Sequence, residues 1–268
     1  MTCLNEIFSV KKPVIGMVHF PPLPYTPEYN DDEGLKRIRE STLQDLIALQ
    51  EGGIDGVLFC NEGDRPYSKG VSQVIVATMA AIIGELKSRI TVPFGVDIMW
   101  DPLSALAVAK ATGAKFIRGV FTGAFAGDMG FFDASGAEAL RYRKAIDGTD
   151  IKVFSIVNAE FAHPLDQRSL TLIAKGAVFV GIADTLCVSG PMTGMEAKLD
   201  ELSTVKSNSM GADVIINTGA RKDNIAKQLE IADGVIVGTS LKYDGITWNN
   251  IDINRVREFM EVVKQARE

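Results

Sequence analysis

The stretch "PFGVDIMWDPLSALAVAKATGAKFIRGVF", residues 93–121, carries one complete structural unit. Residues 93–98 are apolar except for Asp97, and Pro93 stands at the start, where a strand tolerates a missing donor. Asp101 then caps a helix, Pro102 takes its first position, and Gly113 ends it. "KFIRGVF", 115–121, is a second strand.

The same alternation runs through the chain. Short apolar runs predict strands at 13–19, 54–60, 93–98, 115–121, 151–157, 184–190, 213–219 and 234–240. Helical spacing predicts helices at 33–53, 71–89, 101–113, about 137–146, 168–183, 196–211, 221–232 and 254–268. Residues 177–182 also read as a strand, but "DTLCVSG" makes the better sixth one. Continuous apolar strands are expected where both faces of a parallel sheet are buried. Eight strand–helix units point to an α/β fold, a (β/α)8 TIM barrel spanning 1–268 as one domain. A doubly wound open sheet is the alternative, and no GxGxxG follows the first strand. The long loop 122–136, rich in Gly and Phe, reads as a lid.

Bulk properties narrow the function. The formal net charge is −6 without clusters of Lys and Arg, which argues against nucleic acid as a partner. No apolar run is long enough for a membrane span. The opening "MTCLNEIFSVKK" lacks a signal-peptide pattern, so a cytoplasmic protein is expected. Cys3, Cys60 and Cys187 form no CxxC or metal spacing and read as reduced thiols. Cys60 is either a nucleophile or a small core residue. Helix 71–89 is apolar nearly all round, which suits a homo-oligomer interface or a helix packed between neighbours.

In this barrel type the active site lies at the C-terminal ends of the strands. The first strand ends in His19. Cys60 and Asn61 end the second, with Glu62 and Asp64 in a hydrophilic loop beyond. Asp97 ends the third, and Arg118 on the neighbouring strand is the partner a buried carboxylate needs. The fifth ends in Asn158, then Glu160 and His163; the sixth runs into Ser189 and Gly190. The chain has two histidines, and both fall at this face. His19, Asp97, Arg118, Glu160 and His163 are therefore candidate catalytic residues, each also readable as a locally satisfied polar group. Glu62, Asn158, Ser189 and Gly190 are candidate substrate contacts. No cofactor is implied. A divalent metal is conceivable on His19, Asp97 and Glu160, but no HxH or HExxH spacing supports it.

The seventh and eighth strands end in "NTGAR" and "GTSLK". Phosphate sites in this fold are often built from these two loops. Gly219, Ala220, Gly238, Thr239 and Ser240 offer backbone N–H groups and hydroxyls to a small phosphorylated ligand. Capping of a short helix by Thr239 or Ser240 is the plainer alternative.

"IGMVHFPPLPYTP", "GGIDGVLFCNEGDRPY", "GVDIMWDPLSALAVAKATGAKFIRG" and "IADGVIVGTSLK" together resemble the BtpA/SgcQ family over nearly the whole chain. The resemblance implies a ribulose-phosphate-binding-type barrel and a sugar-phosphate context. The family more usually reads "GVN" at Gly95-Val96-Asp97 and "VKH" at Val157-Asn158-Ala159-Glu160. The expectation is an enzyme of carbohydrate metabolism acting on a phosphorylated sugar or sugar derivative by aldol, isomerase or glycosyl-cleaving chemistry. The rival is a non-catalytic barrel serving as an assembly factor or ligand sensor. Convergence of the polar strand-end residues discriminates between the two.

Overall fold

The computed structural model describes residues 2–267. In chain order the strands are β1 (Val14–His19), β2 (Gly56–Cys60), β3 (Phe94–Asp97), β4 (Phe116–Gly119), β5 (Ala124–Gly127), β6 (Gly130–Asp133), β7 (Lys152–Ile156), β8 (Ala162–Pro164), β9 (Thr185–Val188), β10 (Asp213–Ile216) and β11 (Gly234–Val237). Eight of them close a parallel barrel in the order β1-β11-β10-β9-β7-β4-β3-β2. This is the expected TIM barrel, and the closed sheet excludes the doubly wound alternative. The helices are α1 (Cys3–Ile7), α2 (Gly34–Glu51), α3 (Gln73–Leu86), α4 (Pro102–Thr112), α5 (Gly136–Ala145), α6 (Leu170–Phe179), α7 (Leu199–Ser207), α8 (Ile225–Leu229) and α9 (Ile253–Arg267).

The capping chemistry read from 101–113 is in place. Asp101 accepts from Ser104 N at 2.9 Å, and Gly113 closes α4 with φ +80°. Side chains alternate along each strand, so one face of every strand fills the barrel. Ile15, Met17, Leu58, Phe116, Phe154, Cys187, Ile215 and Ile236 form that interior. Phe116 and Phe154 stack at 4.4 Å, and Phe116 leaves no room for a side chain at Gly95. Helix α1, which the sequence pattern does not announce, closes the N-terminal end: Leu4 and Phe8 pack into the interior, and Leu4 N donates to Asp213. The apolar α3 buries Ile75, Met79, Ile82, Ile83 and Leu86 within the barrel's own helix layer. Large exposed apolar groups sit at the C-terminal end of α6 and just beyond it, at Phe179, Val180 and Ile182.

The segment 122–136 is not a bare loop. It folds as the hairpin β5–β6, and β8 adds to its edge, giving a three-stranded antiparallel sheet beside the barrel mouth. Glycines at 123, 127 and 130 hid this pairing, because strands of four residues between glycines give no readable alternation. The last barrel strand, β11, is also shorter than expected: it ends at Val237, and Thr239–Leu241 turns as a 3-10 helix.

Candidate active site

Two residues beyond the last apolar interior position, most of the strands change character. The positions facing the mouth are His19, Asp97, Arg118, Ile156, Asn217 and Gly238. The same period of two that packs the core thus delivers polar groups to one end. They floor a cavity of about 270 Å3.

Arg118 is its electrostatic centre. Nε donates to Asp97 Oδ2 at 2.8 Å, Nη2 reaches the same oxygen, and Nη1 donates to Asn217 Oδ1 at 2.9 Å. Burial opposes its charge, but Asp97, Cys60 and Glu160 outweigh it and hold the guanidinium protonated beyond its usual range. Asn217 passes the connection on, its Nδ2 donating to Ser189 Oγ at 2.7 Å and Glu160 Oε1 at 3.2 Å.

Two carboxyls stand on this floor. The Thr193 hydroxyl lies 3.2 Å from Glu62 Oε1 and 3.3 Å from Glu160 Oε2. Burial raises Glu160 to about 7, with Arg118 opposing and the Glu62 charge adding. Burial also raises Glu62, against the pull of Arg118 and the Thr193 hydroxyl. Tyr67 donates to the Glu62 carbonyl at 3.0 Å. A pair of carboxyls with one poised near neutrality is suited to acid–base work.

Across the mouth are the small-residue loops. Backbone N–H groups of Gly219, Ala220, Thr239 and Ser240 make no hydrogen bond to another described residue. Arg221 and Arg255 line the same side. Ser240 Oγ donates to Ala220 O at 2.6 Å and ties the two loops together. This arrangement can receive an anion. A strap, residues 189–196, spans from one side to the other: Thr193 meets the carboxyls and Gly194 packs on Thr239.

Residues 10–265 match the model of the BtpA family. The chain belongs to the BtpA family. It is 40% identical, over the full length of both chains, to the sgc region protein SgcQ of Escherichia coli strain K12. It is 35% identical, over 98% of this chain and 92% of the other, to the photosystem I biogenesis protein BtpA of Synechocystis. Among solved structures it is similar to tryptophan synthase from M. tuberculosis, at a TM-score of 0.61 and 16% identity over 100% and 99% of the two chains. Thiamine phosphate pyrophosphorylase from Pyrococcus furiosus matches at 0.58 and 17%, over 95% and 96%. At these identities the structures speak for the fold.

In this BtpA-family chain the strand-end residues do not all converge. His19, Glu62, Asp97, Arg118, Glu160, Gly219, Ala220, Gly238, Thr239 and Ser240 line the cavity. His163 does not. It lies exposed on β8, opposite Ala126 of the hairpin, with Nδ1 2.8 Å from Pro164 O. The chain turns outward after Glu160 to pair with β5, and this removes His163 from the mouth. Asn158 is a clamp between loops, donating to Ser189 O and accepting from Ser189 N. A Cβ at Gly190 or at Gly219 would overlap the Met195 carbonyl, so both glycines admit the strap. Gly219 also needs its φ of +67°.

Other expectations from the sequence shift as well. Glu62 and Asp64 are buried rather than solvated, and Asp64 accepts from Leu23 N and Asn61 Nδ2. Burial pushes Asp64 to about 6. His19 is held well below the histidine range by burial, with Lys242 and Arg118 adding, and is therefore a neutral imidazole with an unpartnered Nδ1. Cys60 is buried beside Asp97 and Glu62, which keeps its thiol protonated. Lys242 lies against Asp45 at 3.4 Å and Asn249 O at 2.9 Å, away from the cavity. Among the described residues no group of three His, Cys, Asp or Glu side chains has metal-holding geometry. No helix is long and apolar enough to cross a membrane. Thr193 and Asn217 carry no signature in sequence, because their partners come from distant strands.

Proposed function

We propose that the chain is an acid–base enzyme acting on a phosphorylated sugar or sugar derivative. The observation that carries this is the meeting of Glu62 and Glu160 on one hydroxyl, inside a cavity whose opposite side offers four free N–H groups and two arginines. The phosphate rests on Gly219, Ala220, Thr239 and Ser240, with Arg221 and Arg255 balancing its charge. Glu160, protonated near neutral pH, donates a proton to a substrate oxygen, and Glu62 as carboxylate accepts one from a neighbouring atom. Asn217, itself anchored by Arg118, holds Glu160 in place, and the neutral His19 lines the floor beside them.

Isomerase, aldol and glycosyl-cleaving reactions share this step. Schiff-base chemistry fits poorly, since no lysine lines the cavity among the described residues. The names of several solved neighbours speak of phosphorylated compounds, which agrees with the anion side of this reading. A barrel serving only assembly has no use for an acid–base pair facing an anion cradle.

The test is a thermal-shift panel of phosphorylated pentoses, hexoses and polyols beside inorganic phosphate and sulfate. A ligand at a hundred times its Kd stabilises by about 2.7 kcal/mol. Absence of any shift, inorganic phosphate included, would turn the reading to an assembly factor or sensor.

A further inference from the structure

The cavity has a third side that phosphate and acid–base pair leave unused. In the barrel order, β10 and β11 stand opposite β3 and β4. The anion loops follow β10 and β11. Across from them, after β3 and β4, the wall is Met99, Trp100 and Val120, continued by Ile156 and Phe161. It is apolar. Sugar hydroxyls placed there would lose water without gaining partners.

Two features of this wall are unusual. Trp100 and Phe161 both hold left-handed backbone, at φ +62° and +56°. Bulky side chains rarely adopt that region, and such strain persists where surrounding structure enforces it, often at ligand clamps. The enforcement is visible. Trp100 meets Phe132 of the hairpin edge-on at 4.5 Å, and Phe132 stacks on Phe125 at 5.1 Å. Phe161 N donates to Pro191 O of the strap, and its carbonyl accepts from Asp128 N. The second feature is chemical: Trp100 and Phe161 both present aromatic side chains at the cavity wall, a surface on which a flat ring can stack.

Resting on the phosphate reading above, we propose that the ligand carries a planar heteroaromatic group of the nucleobase class as well as its phosphate. The ring lies on the Trp100–Phe161 wall. The sugar bridges the mouth over Glu62 and Glu160. The substrate class is thus a nucleoside 5′-monophosphate or a like phosphorylated N-glycoside, rather than a free sugar phosphate. Phosphate alone would leave the opposite wall empty.

The chain has two tryptophans, and Trp248 lies under Arg65 at 3.9 Å, outside this cavity. In a Trp248→Phe protein, emission reports on Trp100. The four ribonucleoside 5′-monophosphates, the four nucleosides and ribose 5-phosphate are titrated into it. The expected result is quenching by at least one nucleotide, bound tenfold or more tighter than ribose 5-phosphate. Trp100→Ala, followed by calorimetry, should erase that tenfold and leave ribose 5-phosphate unchanged. If that variant misfolds, the quenching still decides. Equal binding of ribose 5-phosphate and every nucleotide overturns the ring seat and leaves the phosphate reading standing. Nucleosides binding as tightly as their monophosphates support the ring seat and sink the phosphate reading. Binding of none of the three overturns both.

Discussion

Glu62 and Glu160 are joined through a single proton donor, the Thr193 hydroxyl, at 3.2 and 3.3 Å. A hydroxyl has one hydrogen to give. With both carboxyls ionised, one of the two contacts would set lone pair against lone pair. The pair therefore holds a proton near neutrality, and the upward shift of Glu160 to about 7 places it there.

A stability prediction follows from that proton. The folded value of Glu160, about 7, lies above the ordinary 4.5. Stability from this group is therefore fully present below pH 4.5 and is lost as pH rises through 7. The loss between pH 5 and 8 should be on the order of 2–3 kcal/mol, and Glu160→Gln should remove it. Urea unfolding at both pH values reads the difference. Equal losses in parent and variant would show that Glu160 does not hold the proton.

Thr193→Val should act through the pair rather than through the fold. The hydroxyl lowers both carboxyls, so its loss moves their titration upward. The pH midpoint of ligand binding or turnover should rise by roughly half a unit to one unit, within the range a lost hydrogen bond supplies. Thr193→Ser should restore the parent profile. An unmoved midpoint in the valine variant refutes the bridge.

Asp97 and Arg118 form a buried ion pair at the cavity floor. Arg118→Met leaves Asp97 unpaired and should cost about 3–5 kcal/mol. Adding Asp97→Asn should recover much of that loss, although ligand binding stays impaired. Denaturant midpoints of the two single variants and the double variant test it, with additive losses as the contrary result.

Gly219 and Gly238 look alike in sequence and should respond differently. At Gly238 a Cβ would stand 3.2 Å from His19 Cε1 and Met17 Cβ, which neighbours can accommodate. Gly238→Ala should keep the fold and, by placing a methyl group on the cavity floor beside His19, weaken ligand binding about tenfold. Gly219→Ala meets the strap backbone at a φ of +67°, so it should lower the melting temperature by several degrees. Calorimetry paired with thermal melts separates the two outcomes.

The barrel was legible because its evidence is local. Each strand is a continuous apolar run, and α4 carries its cap, its proline and its terminal glycine within thirteen residues. The Asp97–Arg118 pairing was legible too, since both fall at the ends of adjacent strands. What stayed hidden depends on distant partners. Glu62 reads as a solvated loop residue until Thr193, 131 positions later, covers it. His163 stands three residues past Glu160 and reads as a neighbour, but β8 pairs outward with β5 and carries it to the surface. The hairpin and α1 are too short to leave a periodic trace.

That small sheet of β5, β6 and β8 has a consequence for how the protein can diverge. Phe132 on it supports Trp100, and the segment entering β8 carries Glu160 and Phe161. The ring wall and the proton donor thus hang from one add-on outside the barrel, whereas the anion loops belong to the barrel itself. Relatives that recast this appendage would change what they recognise and how they react in a single step, and keep the phosphate grip untouched.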